Sequence, residues 1–473
     1  MDDLHYLSAT DALAMFRRKD LSPVELVAAV IERAEAVEPA INAFAQTFYE
    51  EALAVARQAQ ERYAGSGDAA RPLDGLPVAV KEEAPVAGHL NTLGSLALRD
   101  VVATETAPFV QRIIDAGGIV HARTTTPEFS SAPVTWTRLW GVTRNPWNPR
   151  FSPGGSSGGS GAALAAGSAA LATGSDIGGS IRIPSSFCGV VGFKPPYGRV
   201  PEVAPFNLDH YCHEGPMART VSDCALLENV IAGPHASDVA SIRPKLEIPR
   251  PLEPVAGLRI ALSTNLGCYD VDADVAANTL AAAERLREAG ATVTEVTLPW
   301  TLEAIGRAVS IHFGMIFGPS MKELDDTHGD QLTSYARRMV ADAELVSKAD
   351  LLAGLTLEAE IYAPLGELLD EFDALICPTF AVPALDAEYD TGQPLEVNGR
   401  PVGQWFDVMM TVPFNIASRC PVLSIPSGLS ADGVPTGLAV VGRTYDDVTA
   451  FRVAAAHEER LPWLAGGGPR PGL

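Results

Sequence analysis

The sequence predicts an α/β protein whose central sheet is covered by helices on both faces. Two observations carry that reading: short apolar runs of strand length recur along the chain, and amphipathic runs of helical period separate them. A third is size. The 473 residues are 47% apolar and 20% charged, enough to bury a large core and, by length alone, to fill about three domains.

Taken in order, residues 1–62 read as a helical segment. Ser22-Pro23-Val24-Glu25 has the form of a capping box with proline at the first helical position, and Leu26, Ala29, Val30 and Ala34 follow it at helical spacing. The small-residue stretch Ala64 to Asp74 is a loop. Strands are then expected at LPVAV (76–80), GGIVHA (117–122), LRIAL (258–262), ATVTEVTL (291–298), DALIC (373–377) and PVLSIP (421–426). Helices are expected at 107–117, 222–233, 274–290 and 449–460. The proline-rich piece Arg243 to Pro254 divides a glycine- and serine-rich half, 63–242, from a second half, 255–465, that completes the sheet. We read it as a surface connection within one domain spanning 1–473. Residues 301–370 are mainly helical and placed to cover a site, and 466–473 form a loose tail. No 20–50-residue repeat is present.

Charge narrows the partners. With 35 basic against 58 acidic residues the formal charge is −23, a field that repels nucleic-acid backbones and anionic membranes. No stretch reaches the roughly 18 apolar residues of a membrane span. The first twenty residues carry neither a secretory nor a transit pattern, and the six cysteines, far apart and without CxxC pairs, read as reduced thiols. A cytoplasmic monomer or homodimer acting on a small molecule, without nucleic acid, membrane or cofactor, is the expectation.

The stretch SPGGSSGGSGAALAAGSAALATGSDIGGSIRIPSS, residues 152–186, has the composition of a flexible linker. It runs on, however, into a small-residue helix pattern and the apolar FCGVVGF, so its glycines belong to a packed interior. A phosphate cradle lacks its lysine, and the dinucleotide fingerprint lacks its third glycine. Nucleophilic catalysis remains: Gly178-Gly179-Ser180 sets a hydroxyl beside unhindered backbone N–H groups, as attack on a carbonyl requires. The context is not a GxSxG elbow, and a distant serine–histidine–aspartate arrangement stays open. Lys81, closing the apolar run Gly75 to Val80, supplies another base, since desolvation at a strand end favours the neutral amine.

These stretches, together with GLPVAVKE, GPMARTVSDCALL, CPT and FNIASRCPVLSIPSGLSADGVPTGLAVVGR, resemble the amidase signature family of serine hydrolases over nearly the whole chain. The resemblance implies a mixed central sheet in an α/β/α fold and a Ser–cisSer–Lys triad: Ser180 as nucleophile, Ser156 as the bridging serine after a cis peptide, Lys81 as base. It implies an oxyanion hole from the N–H groups of Ile177, Gly178, Gly179 and Ser180. Ser157, Ser175, Asp176 and Arg182 become supports of that loop, and Phe129, Ser130, Tyr211 and Cys212 contacts to substrate, with no metal.

Two departures stand out. The lysine motif continues here as Glu82-Glu83, and two carboxylates aimed at Lys81 would oppose a base role, so both are expected to point elsewhere. The family's GKTN reads Ala122-Arg123-Thr124-Thr125. Among rivals, the glutaminase component of a tRNA-dependent amidotransferase would carry an Asp-Gln pair before Gly215-Pro216, where this chain has no glutamine. A metal-binding reading of His210, Cys212, His213 and Glu214 matches no zinc spacing. Aromatic and methionine side chains in 129–136, 206–213, 311–317 and 405–414 point to an apolar cleft for uncharged substrates. Small carboxamides, with carbamates (urethanes) beside them, are the expected substrates; a dedicated urethanase or a lactam or oligoamide hydrolase is the alternative.

Overall fold

In the computed structural model, which describes residues 3–65 and 70–473, eleven strands form one mixed sheet. Numbered along the chain they are β1 (Phe44–Thr47), β2 (Pro77–Lys81), β3 (Ile119–Thr124), β4 (Leu171–Ser175), β5 (Val191–Lys194), β6 (Glu214–Ala218), β7 (Arg259–Leu262), β8 (Thr292–Glu295), β9 (Ala374–Pro378), β10 (Val422–Leu429) and β11 (Pro435–Gly442). Their spatial order is β1-β3-β2-β4-β6-β5-β10-β11-β9-β7-β8. Pairing is parallel for β3-β2-β4 and for β9-β7-β8, and antiparallel elsewhere.

Side-chain alternation along the strands supplies both faces with core. Val78 and Val80 of β2 join one large cluster with helices Ala9–Arg18, Pro108–Asp115, Val221–Ile231 and Asp447–Glu458, while Ala79 between them packs on the other face against the alanines of helix Gly158–Ala166. The same split separates Ile260 and Leu262 from Ala261, and Leu438 and Val440 from Ala439 and Val441. Helices Leu302–His328, Ser334–Ala343 and Lys348–Glu371 cover the Ala261 and Ala439 side, as the helical character of 301–370 predicts.

The capping box forms. Glu25 N donates to Ser22 Oγ at 3.2 Å and Ser22 N to Glu25 Oε2 at 2.8 Å, opening helix Pro23–Ile41. Three expectations need correction. Residues 1–62 are not wholly helical, because β1 crosses to pair antiparallel with β3. The interior run also contains a strand, β4, and not only helix. The tail 466–473 is not loose: Leu473 O accepts from Arg33 Nη1 at 3.1 Å, and the Arg470 guanidinium lies 4.3 Å over the Tyr6 ring and pairs with Asp3. Residues 66–69 of the expected loop lie outside the described residues. The six cysteines are free thiols, and no helix among the described residues is long and apolar enough to cross a membrane.

Candidate active site

β2 and β4 run parallel, and β6 begins opposite the end of β4, so Lys81, Ser175 and Glu214 lie at the same end of three neighbouring strands inside the sheet. Lys81 is 1% exposed. Its Nζ donates to Ser156 Oγ at 2.7 Å and to Ser175 Oγ at 2.7 Å. Its backbone N–H is tied to Thr173 Oγ1 on β4 at 3.1 Å, which fixes the end of one strand against the other. Ser156 follows a cis peptide from Gly155 and is fully buried. Ser157, next in line, opens helix Gly158–Ala166, accepts from Ser175 N at 3.3 Å and sends its own N–H to Ser180 O at 3.1 Å. The two serine segments are thereby laced together.

Ser180 sits on a loop whose shape comes from one buried ion pair. Asp176 accepts Gly179 N at 2.9 Å and Ile181 N at 3.1 Å, and meets Arg182 through Nε at 2.9 Å and Nη2 at 2.7 Å. Burial alone would raise the Asp176 pKa, but the Arg182 guanidinium and hydrogen bonds from Arg182 and Asn415 hold it well below the usual carboxylate range. Arg182 also reaches Thr411 O at 2.8 Å and Asn415 Oδ1 at 2.6 Å, and Thr411 Oγ1 donates back to Gly178 O at 2.6 Å. Gly179 is left-handed in sense at φ +129°, and a Cβ there would stand 2.2 Å from Thr411 Oγ1, so only glycine fits.

Of the four N–H groups expected to form an oxyanion hole, Gly179 is the exception: its N–H is spent on Asp176. Those of Ile177, Gly178 and Ser180 make no hydrogen bond among the described residues. Ser180 Oγ likewise has no partner there, while Ser156 Oγ is held only from the Lys81 side. Such looseness is common before substrate arrives.

Glu82 and Glu83 part company. Glu82 turns away, accepting the N–H groups of Thr92 and Gly94, and burial pushes it up to about 7. Glu83, contrary to expectation, faces the site: its Oε1 lies 2.9 Å from Lys81 Nζ, in a Coulombic contact outside the line of a hydrogen bond, and Ser130 Oγ donates to its other oxygen. Burial raises the Glu83 pKa, but the Lys81 charge and the hydrogen bond from Ser130 prevail and leave it below its ordinary value. The turn carrying both carboxyls is clamped by Arg123, whose Nη2 reaches Lys81 O at 3.2 Å and Glu82 O at 2.8 Å.

Two cavities meet at Ser130, Ile177 and Phe317. The crevice over Ser180 is bounded by Gly155, Gly178, Phe313, Trp405 and Met409. The deeper cavity, about 290 Å³, has apolar walls from Leu93, Leu98, Phe109, Phe129, Phe206 and Phe317, with Cys212 and the carboxyls of Glu83, Glu202 and Glu214 among its lining. Burial, reinforced by the neighbouring carboxylates, pushes the Glu202 and Glu214 carboxyls well above the usual range. Phe129, Ser130 and Cys212 thus lie where substrate contacts are expected. Tyr211 does not: it is fully buried, stacked 3.5 Å from the His312 ring, and lines neither cavity. The His210–Cys212–His213–Glu214 set is also pulled apart. His213 sits between the carbonyls of Asp176 and Ser418, and Cys212 Sγ donates to Asp209.

Sequence reasoning missed Thr173, Thr411, Asn415 and Arg123, because each acts from a distant segment through a hydrogen bond that no local motif announces.

Residues 25–451 match the Amidase family. An acylamidase of Rhodococcus erythropolis is 35% identical over 475 residues, covering 98% of this chain and 97% of that protein. A glutamyl-tRNA(Gln) amidotransferase component of Chloroflexus aggregans is 33% identical, with 98% of each chain covered. Among solved structures, a bacterial aryl acylamidase of the amidase signature enzymes superposes with a TM-score of 0.90 at 29% identity, covering 98% of this chain and 99% of that one. Because the match runs from the long capped helix to the last one and includes every residue of the site above, the chain belongs to the Amidase family.

Proposed function

We propose that the protein hydrolyses the C–N bond of small, largely uncharged carboxamides, and of carbamates, through an acyl-enzyme on Ser180. The observation that carries the reading is the 2.7 Å contact between Lys81 Nζ and Ser156 Oγ, one segment from a serine flanked by unpaired N–H groups. With one proton fewer on the Lys81–Glu83–Ser156 cluster, Lys81 takes the Ser156 proton and Ser156 takes that of Ser180. The Ser180 oxygen bonds to the carbonyl carbon, and the carbonyl oxygen gathers negative charge opposite Ile177, Gly178 and Ser180 N–H, where each donor is worth about 3 kcal/mol. The proton returns through Ser156 to the leaving nitrogen, the C–N bond breaks, and water repeats the sequence to free the acid. In a carbamate the acyl carbon bears an alkoxy oxygen in place of carbon, and the same attack applies.

The apolar walls of the larger cavity support uncharged substrates. The glutaminase of an amidotransferase is the second reading, favoured by the Chloroflexus relative and disfavoured by the missing glutamine before Gly215. The test is a panel of anilides, aliphatic amides, lactams, aryl carbamates and glutamine with wild type and Ser180→Ala. We expect anilide and carbamate turnover, a fall of more than about a thousandfold in the variant, and fluorophosphonate label on Ser180. Turnover of glutamine alone, or an active Ser180→Ala, overturns the reading.

A further inference from the structure

The segment 206–213 expected to line the substrate cleft turns part of its polar content the other way, toward the covering helices. There His210 Nε2 lies 3.0 Å from Glu358 Oε2 on helix Lys348–Glu371, and His312 Nδ1, on helix Leu302–His328, lies 3.9 Å from Glu358 Oε1. Donor atoms of the three residues fall within 4.8 Å of one another. A tetrahedral zinc with ligands at about 2.0–2.2 Å sets its donor atoms about 3.3 Å apart, so the spacing is close to that of a cation's shell and needs only small side-chain shifts to close.

The surroundings are built the same way. The other nitrogen of His312, Nε2, lies 2.8 Å from Asp209 Oδ1 in a Coulombic contact outside the line of a hydrogen bond, and Nδ1 is the nitrogen on the Glu358 side; a carboxylate beside a ligating imidazole is the usual support of metal-bound histidine. Tyr211 stacks on the His312 ring and donates its hydroxyl to Glu358 Oε1 at 3.0 Å, fixing ring and carboxylate together. The His210 side chain is 28% exposed against 11% for His312 and 13% for Glu358, so an ion has its way in on the His210 side. Two imidazoles and one carboxylate form a donor set suited to a borderline cation and poor for magnesium or calcium. With neutral rings the cluster also holds two carboxylates, Asp209 and Glu358, and a divalent ion balances them.

We propose that His210, His312 and Glu358 bind one divalent cation, zinc in preference to magnesium or calcium, which braces the helical cover against the loop leading into β6. The ion takes no part in hydrolysis. Its place is structural: the residue after His312 is Phe313, which bounds the crevice over Ser180, and the loop behind His210 delivers Cys212 and Glu214 to the deeper cavity.

The experiment uses the full chain, stripped with a chelator and dialysed. Titration with zinc chloride followed by calorimetry should show one equivalent bound at micromolar or tighter affinity, with magnesium silent. Cobalt(II) should give the intense visible bands of a tetrahedral site, and zinc should raise Tm. His210→Ala, altering the most exposed ligand, and Glu358→Gln should each weaken binding at least a hundredfold, and Asp209→Asn ten- to hundredfold. Circular dichroism of each stripped variant checks that it is folded. Absence of zinc binding by the folded wild-type chain, or unchanged affinity in folded His210→Ala and Glu358→Gln, overturns the proposal; the cluster is then a polar contact between the loop and the covering helices and no more.

Discussion

Lys81 is held between two serine hydroxyls and one carboxylate, and the carboxylate sets the charge balance of that cluster. Glu83 carries the charge that faces Lys81 at 2.9 Å, so neutralising it tests what that contact does for the proposed reaction. In Glu83→Gln kcat/KM on an anilide should rise by about threefold or more at neutral pH, measured by steady-state kinetics beside wild type; an unchanged kcat/KM would detach Glu83 from the proposed reaction. Asp176 carries a second pH signature. Its pKa is depressed in the fold, so the ion pair contributes stability that is present above the ordinary value of 3.8 and lost as pH falls through and below it. Thermal denaturation should show Tm falling below about pH 4. Asp176→Asn should flatten that fall and, by leaving the buried Arg182 charge without its carboxylate, cost about 3–5 kcal/mol at neutral pH. That Lys81 and Ser156 come together was legible in the sequence because each sits in a dense local motif. Glu83 was misread: adjacency in sequence gives the strand-end turn but not which of two neighbouring carboxyls turns inward, a choice made by Thr92 and Gly94 capturing Glu82.

Elements whose signal is local were read well. LPVAV, GGIVHA, LRIAL and DALIC all became strands of the one sheet, and Ser22 with Glu25 closed the predicted cap. Those missed are strands specified by their neighbours. β4 is LATGS inside a glycine- and serine-rich run, and β1 is four residues after a helix; both are held by pairing with partners far along the chain. The loop after β4 shows what such an element is for. It presents three N–H groups outward because Asp176 gathers the others inward, and Gly179 permits the close approach of Thr411. Gly179→Ala should therefore displace the loop and lower kcat by about a hundredfold or more, with a smaller change in KM, read by steady-state kinetics on an anilide. A Ser180→Ala chain with an intact loop should still bind the anilide, which separates loop geometry from nucleophile.

At the scale of the molecule, the charge of −23 surrounds a cleft with largely apolar walls. Anionic substrates should meet a repulsive field: kcat/KM for an anilide bearing a carboxylate should fall below that of its neutral methyl ester. The gap should narrow as salt rises from about 0.01 to about 0.15 M and the Debye length shrinks from about 30 to about 8 Å. The layering of sheet and helices was foreseeable from the alternation of runs. The strand order was not, since β5 lies beside β10 across more than two hundred residues, and pairing of that range leaves no periodic trace. That junction has a practical meaning. The proline-rich piece 243–254 is where the chain passes between its halves, while Val422, Leu423 and Ser424 pair with Lys194, Phe193 and Gly192. Two polypeptides made by opening that piece would each carry a raw sheet edge: apart they would aggregate, and expressed together they would zip along β5 and β10. The enzyme is in that sense a ready split reporter, whose activity signals the meeting of whatever is fused to its two fragments.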